Sequence, residues 1–334
     1  MLFFLHKILL LLPPEVAHHW AIFLLKLYQK FIILFLETKK SSSAALHLKE
    51  VRKIRFGNRL GLAAGFDKNA EVFLPLSHLG FGFIEVGTVT PNSQEGNPKP
   101  RIWRESPDGL INQMGFNNCG VEQFKKNLKK NRLHCSVPIL ANIGKNKITP
   151  NELAIQDYKS LFSMLAPEVD GFVVNISSPN TVGLRELQSI AFLEHLEEVA
   201  PQKPLWVKLS PDLDMDVLKE LFLKIKSSQC FLGCVLTNTS RQIALQEYGR
   251  AEGGYSGEKL FERSLECVAL CREIFNEKKS IIAVGGINSV VRAKKMRQEG
   301  ADLIELYTGF VYKGPAWVKE IVKGLADESF ELSF

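Results

Sequence analysis

The chain has little histidine and no paired cysteine motif. Beyond residue 50 only His78, His134 and His195 occur, and none stands at a metal-ligand spacing from cysteine or carboxylate, so no metal site is expected. The six cysteines, Cys119, Cys135, Cys230, Cys234, Cys267 and Cys271, contain no C-x-x-C pair. Both four-residue spacings read as neighbours within one element, and a reduced compartment follows. No run of about 20 nearly uncharged apolar residues is present, because Lys26 and Lys30 interrupt the stretch 20–36; a transmembrane helix is not expected. A signal peptide is disfavoured too, since the first apolar run meets Pro13-Pro14-Glu15 without an A-x-A site and a second apolar segment follows. No G-x-G-x-x-G succeeds the first predicted strand, which argues against an open dinucleotide-binding sheet. The formal charge is +6, yet Lys125, Lys126, Lys129 and Lys130 recur at helical spacing without interleaved aromatics, as on a solvated helix face. Nucleic-acid binding is not expected.

What is present is apolar material for a full core. A length of 334 residues with 46% hydrophobic content fits one large α/β domain and an appendage. Residues 1–40 are dominated by Leu, Ile and Phe, with Lys7, Lys26, Lys30, Lys39 and Lys40 against Glu15 and Glu37. Wound at about 100° per residue, Glu15, His18, His19, Lys26, Gln29, Lys30 and Glu37 fall within an arc of about 120°, and nearly everything else is apolar. A helix so divided lies on a membrane instead of crossing it. Pro13 and Pro14 predict a break and a fresh start, hence a helical hairpin, and Lys39-Lys40 favour anionic headgroups. The alternative is a helix pair packed on the main domain. The expected division is a membrane-associating extension, 1–40, and a catalytic domain, 41–334, joined through Ser41-Ser42-Ser43.

Short apolar runs at 60–64, 83–86, 138–142, 172–175, 205–209, 233–236, 281–284 and 303–306 alternate with amphipathic stretches such as 217–225, 260–274 and 293–298. Apolar strands separated by helices are buried parallel strands, and eight of them predict a (β/α)8 barrel. The intervals 91–137 and 237–280 are long, so extra hairpins or loops are expected over the barrel top.

In such barrels chemistry sits at the strands' carboxyl ends. The fourth strand runs into Asn175-Ile-Ser-Ser-Pro-Asn-Thr181, whose amides suit the edges of a planar heterocycle and whose serines can move a proton; an Asx/Ser turn is the plainer alternative. Other strand ends carry Ala64-Gly65-Phe66-Asp67-Lys68, Gly87-Thr88, Asn142-Ile143-Gly144 and Thr237-Asn238-Thr239. Lys208 lies within an apolar strand and needs an anionic partner. Gly285-Gly286 after the seventh strand, Gly309 after the eighth and Gly314-Pro315 opening the last helix match the phosphate site typical of this barrel, so a phosphorylated cofactor is implied.

The succession Gly61–Lys68, Gly87–Thr90, Met114-Gly-Phe-Asn-Asn118, Asn142–Lys147, Asn175–Thr181, Thr237–Thr239 and Val284-Gly-Gly286 closely resembles the dihydroorotate dehydrogenases, in their quinone-dependent class 2 branch, in collinear order from about residue 14. The resemblance implies oxidation of dihydroorotate to orotate with FMN, in pyrimidine synthesis. It implies FMN contacts at Ala64, Gly65, Thr88, Asn142, Asn175, Lys208, Thr237, Gly257, Gly286, Tyr307 and Thr308, with Lys208 stabilising the reduced ring. It implies substrate contacts at Lys68, Asn112, Gln113, Met114, Gly115, Phe116, Asn175, Asn180, Asn238 and Thr239, with Lys68 on the carboxylate. Ser178 matches the base that takes the C5 proton; class 1 relatives carry Cys there. Pro14-Glu15-Val16-Ala17-His18 matches the class 2 P-E-x-A-H pattern, which implies a quinone tunnel lined by His18, Arg104 and Tyr307. A monomer held peripherally on the cytoplasmic face of the cell membrane is the corresponding expectation. Gln113 stands where Arg is common and Phe66 where Leu is common. A Schiff-base aldolase using Lys208, a non-catalytic membrane-binding barrel and a soluble class 1 enzyme are the competing readings.

Overall fold

The computed structural model describes residues 2–38, 53–105, 108–181, 183–325 and 330–333; the expected linker 41–43 lies outside them. Eight parallel strands close into a barrel. In chain order they are β1 (Leu60–Leu62), β2 (Phe83–Val89), β3 (Ile139–Ile143), β4 (Gly171–Asn175), β5 (Leu205–Leu209), β6 (Gly233–Leu236), β7 (Ser280–Val284) and β8 (Leu303–Leu306). Each pairs with its successor, and β8 pairs with β1. All eight coincide with the predicted runs to within three residues at either end. The amphipathic stretches are helices Met215–Ser227, Phe261–Phe275 and Val290–Gln298.

Strand side chains alternate between the barrel axis and the helical shell. At the lower level of the axis Phe83, Leu140, Val173, Trp206, Val235, Ile282 and Leu303 form one apolar cluster. Two residues further along the same strands stand Glu85, Asn142, Asn175, Lys208, Thr237 and Glu305, all buried. The barrel is thus an apolar plug beneath a polar layer. Gly61 makes room for the plug: a Cβ there would lie 2.3 Å from the Phe83 ring. Below, strand Lys53–Phe56 pairs antiparallel with Phe330–Ser333 and packs Phe56 edge-on against Phe83, ring centroids 5.3 Å apart.

The two long intervals do more than add separate loops. Ile102–Glu105, Gly109–Asn112 and Gly254–Gly257 join into one antiparallel sheet, with Gly109–Asn112 central, forming a roof over the barrel top.

Helices Leu2–Leu11 and Pro14–Thr38 form the expected hairpin, with Pro14 at the first helical position, where its missing N–H costs nothing. Its sidedness differs from an ordinary surface helix. Much of the polar arc turns inward: Glu15 accepts from Arg101 Nε and Nη2 at 3.1 and 2.9 Å, Lys26 Nζ meets Glu71 at 2.7 Å, and Gln29 is only 7% exposed. Outward stand Val16, Trp20, Phe23, Leu27, Phe31, Leu34 and Phe35, with Phe31 75% exposed. Ile32, with Ile22, Leu25 and Ile33 beside it, packs on the barrel core, so the helix divides its apolar residues between the barrel and the outside. Among the described residues no helix is long and apolar enough to cross a membrane.

One smaller expectation is corrected. Cys230 lies in the turn before β6, not within the element that holds Cys234, whereas Cys267 and Cys271 do share a helix. All six cysteines are free.

Candidate active site

The polar layer forms the floor of an open cleft under the roof sheet. Nearly every residue singled out from sequence lines it: Ala64, Gly65, Lys68, Thr88, Asn112, Met114, Gly115, Phe116, Asn175, Ser178, Asn180, Lys208, Thr237, Asn238, Thr239, Gly257, Gly286, Tyr307 and Thr308. Two do not. Asn142 is fully buried behind Thr88, accepting from its hydroxyl at 2.5 Å and donating to Glu85 at 2.6 Å. The Gln113 side chain turns away to Glu252 on the other long interval.

One wall reads amides. Asn175 Nδ2 donates to Thr88 Oγ1 at 3.1 Å and its Oδ1 accepts from Asn238 Nδ2 at 3.2 Å; Asn180 Nδ2 donates to Asn112 Oδ1 at 2.9 Å. Ser178 sits among them, 6% exposed, its Oγ accepting from the Asn180 N–H at 3.3 Å. Lys68 donates to the Gly65 carbonyl at 2.7 Å. Burial first, and then the positive charge of Arg101, pulls Lys68 down to about 8 against the pull of Glu15 and Asp67.

The opposite wall is glycine-built. Gly285, Gly286, Gly257 and Gly309 line it. Gly286 has φ +67° and a Cβ there would lie 2.5 Å from Phe261 N, so only glycine lets the chain pass and leaves backbone N–H groups for an anion. Gly314 is not part of this cradle; it borders a second cavity instead.

Lys208 does have an anionic partner, and it belongs to the chain. Its Nζ is 3.0 Å from Glu85 and 3.8 Å from Glu305. Burial works to lower the lysine, but the two carboxyls, Glu85 foremost, hold it above its ordinary value. Burial likewise works to raise Glu85, and Lys208 with donors from Ala64 and Asn142 holds it below. A charged, ion-paired lysine is a poor Schiff-base nucleophile, which removes the aldolase reading. Sequence reasoning missed Glu85 and Glu305. The signal was there: each is a lone charge inside an apolar strand, as Lys208 is.

Several buried polar atoms that border the cleft have no partner among the described residues, including Asn117 Oδ1, Asn180 Oδ1 and Thr239 Oγ1. Buried polar groups are normally satisfied, so the cleft is built to receive hydrogen-bonding ligands.

A second cavity lies between the hairpin and the barrel, lined mostly by Leu, Ala and Phe side chains with His18 and Arg104 among them. Arg104 donates to the carbonyls of Leu12 and Leu9, while its Nε is buried without a partner. Burial, then the charges of Lys68 and His19, keep His18 well below its ordinary value, so it is neutral at neutral pH. Tyr307 borders both cavities.

Fold and cleft define a barrel of the enzyme type, with a glycine-lined wall fit for an anion facing a wall of asparagine amides at the strands' carboxyl ends. A family model for dihydroorotate dehydrogenase matches residues 47–328. The dihydroorotate dehydrogenase (quinone) of Christiangramia forsetii is 43% identical over 92% of this chain and 93% of its own length. That of Nitratiruptor sp. is 41% identical over 96% of this chain and 93% of its own. Among solved structures, DHODH from Eimeria tenella in complex with ferulenol has a TM-score of 0.78 at 31% identity, covering 93% of this chain and 90% of that one. The chain belongs to the dihydroorotate dehydrogenase family, flavin-dependent oxidoreductases of pyrimidine biosynthesis.

Proposed function

We propose that the chain oxidises dihydroorotate to orotate with FMN in the cleft and a quinone as acceptor in the apolar cavity. Residues 41–334 form the catalytic barrel. Residues 1–40 form the acceptor side, holding a monomer peripherally on the cytoplasmic face of the membrane. The observation that carries the reading is the pairing of an asparagine wall and Ser178 with a glycine cradle and Lys208 across one cleft.

The residues fit the cofactor. Gly257, Gly286 and Thr308 would hold the phosphate, Ala64, Gly65, Thr88 and Thr237 the ring system, and Lys208 the pyrimidine edge, while Asn142 supports Thr88 from behind. Bound FMN supplies the two-electron acceptor for the hydrogen leaving C6 of substrate with its electron pair. Ser178 takes the C5 proton, so the substrate loses two electrons and two protons in becoming orotate. Asn112, Asn175, Asn180 and Asn238 hold the ring amides, with Gln113–Phe116 and Thr239 closing the pocket, and Lys68 pairs the carboxylate. On the other side of Tyr307, the orphan Arg104 Nε and neutral His18 offer donors for a quinone oxygen.

Purified protein should carry one FMN per chain, and anaerobic dihydroorotate should bleach its absorption at about 450 nm. Colourless protein that takes up no FMN ends this reading.

The low Lys68 value has a pH consequence. Only the protonated amine pairs with a carboxylate, and kcat/KM reports groups of the free enzyme. Affinity for dihydroorotate is therefore full below about 8 and lost as pH rises through about 8. Lys68→Arg, charged throughout, should abolish that alkaline limb; a limb that persists in the variant assigns it to another group.

A further inference from the structure

The cleft floor carries one ionisable group that has no task so far. Glu305, on β8 between Ile304 and Leu306, is fully removed from solvent. Among the described residues neither carboxyl oxygen accepts from an N–H or hydroxyl donor, although the residue borders the cleft and its Oε2 is 3.8 Å from Lys208 Nζ. Glu85 is the opposite case. It faces the same ammonium at 3.0 Å and also accepts from Ala64 N at 2.9 Å and Asn142 Nδ2 at 2.6 Å. A buried carboxyl without donors gives up its charge, and one with several keeps it. The donors therefore choose which of the two carries the negative charge opposite Lys208.

We propose that Glu305 is a neutral carboxylic acid in the resting protein, and that its proton keeps the Glu85–Lys208–Glu305 cluster at zero net charge, leaving the ammonium to oppose negative charge arriving on the flavin. Glu85 on β2 and Lys208 on β5 are the charged groups facing it. Its partners in the barrel register, Gly61 on β1 and Val284 on β7, bring none. Burial, and then the charge of Glu85, raise Glu305 well above an ordinary carboxyl, with Lys208 opposing. Ionised, Glu305 would make the cluster negative and disfavour reduced cofactor; protonated, it leaves the cluster neutral, with Glu85 the acceptor beside it. It is a positioning residue that acts through Lys208, and only this consequence for the cofactor rests on the flavin reading.

Infrared spectroscopy of the flavin-loaded protein at neutral pH should show the C=O stretch of a protonated glutamic acid, identified by isotope-labelled glutamate and absent in Glu305→Gln. The labelling separates it from buried Asp67, itself raised to about 6. Gln is the neutral isostere of the acid, so the flavin midpoint potential of Glu305→Gln should lie within about 30 mV of the parent at neutral pH, tenfold in the reduced-to-oxidised ratio. At alkaline pH the parent's potential should drop below the variant's as Glu305 ionises. Absence of a glutamic-acid band in the parent overturns the proposal, whether or not the variant folds. So does a Glu305→Gln potential shifted by more than tenfold toward reduction at neutral pH, the mark of a standing negative charge removed. Protein that takes up no flavin ends the flavin reading and leaves the infrared result to decide the Glu305 proton.

Discussion

Ser178→Ala should keep FMN and bind dihydroorotate but slow flavin reduction about 100-fold or more, the usual scale for losing a general base. The loop after β4 holds the Ser178 hydroxyl 6% exposed in the asparagine wall, close to where the substrate ring would lie. A serine is a weak base in water. Among the described residues no carboxylate or imidazole hydrogen-bonds its hydroxyl, so its basicity must come from exclusion of bulk solvent and onward passage of the proton through neighbouring polar groups. The Asn175, Ser177 and Asn238 side chains form such a neighbourhood, with Asn238 Nδ2 donating to Ser177 Oγ at 2.9 Å. Anaerobic stopped-flow reduction measures the step alone. A single-turnover rate equal to the parent's would remove Ser178 from the chemistry, and the asparagine wall would then be a binding surface only.

Removal of residues 1–40 should divide the two half-reactions. A chain starting at Ser41 keeps the cleft, and dihydroorotate should still reduce its flavin. It loses the wall of the apolar cavity formed by Leu5, Leu9, Leu10, Ala17, Ala21, Leu24 and Leu25. Each ~55 Å² of quinone tail left in water costs about tenfold in affinity, so turnover with a long-chain quinone should collapse while a small soluble acceptor still serves. Loss of the exposed row from Val16 to Phe35 should also abolish binding to anionic liposomes. Arg101 would lose its Glu15 partner in that chain, so the full-length Phe31→Asp variant provides the companion test: liposome binding falls and flavin reduction stays. Full-rate oxidation with a long-chain quinone by the shortened chain would reduce the hairpin to packing.

The barrel was legible because strands buried on both sides are written as continuous apolar runs, and eight such runs leave little choice of architecture. The cleft was legible for the same reason: polar residues at strand ends stand out against that background. The roof was not, because its sheet pairs Leu110 with Ser256, and short strands without strong alternation carry no mark of a partner so distant. The hairpin's faces were readable but not their direction, since helical periodicity divides a helix without saying what lies on each side. Only Glu71 and Arg101, waiting on the barrel for Lys26 and Glu15, decide it. Gly314 was misplaced because a glycine that opens a helix does not reveal which cavity it borders until the backbone is seen.

Tyr307 stands as a partition with a different compartment on either side. Because the two cavities share only Ile102, Leu110 and Tyr307 among their lining residues, the acceptor side can be altered elsewhere without disturbing the recognition of dihydroorotate. It also means that a molecule lodged behind the ring would block re-oxidation while leaving the substrate pocket open.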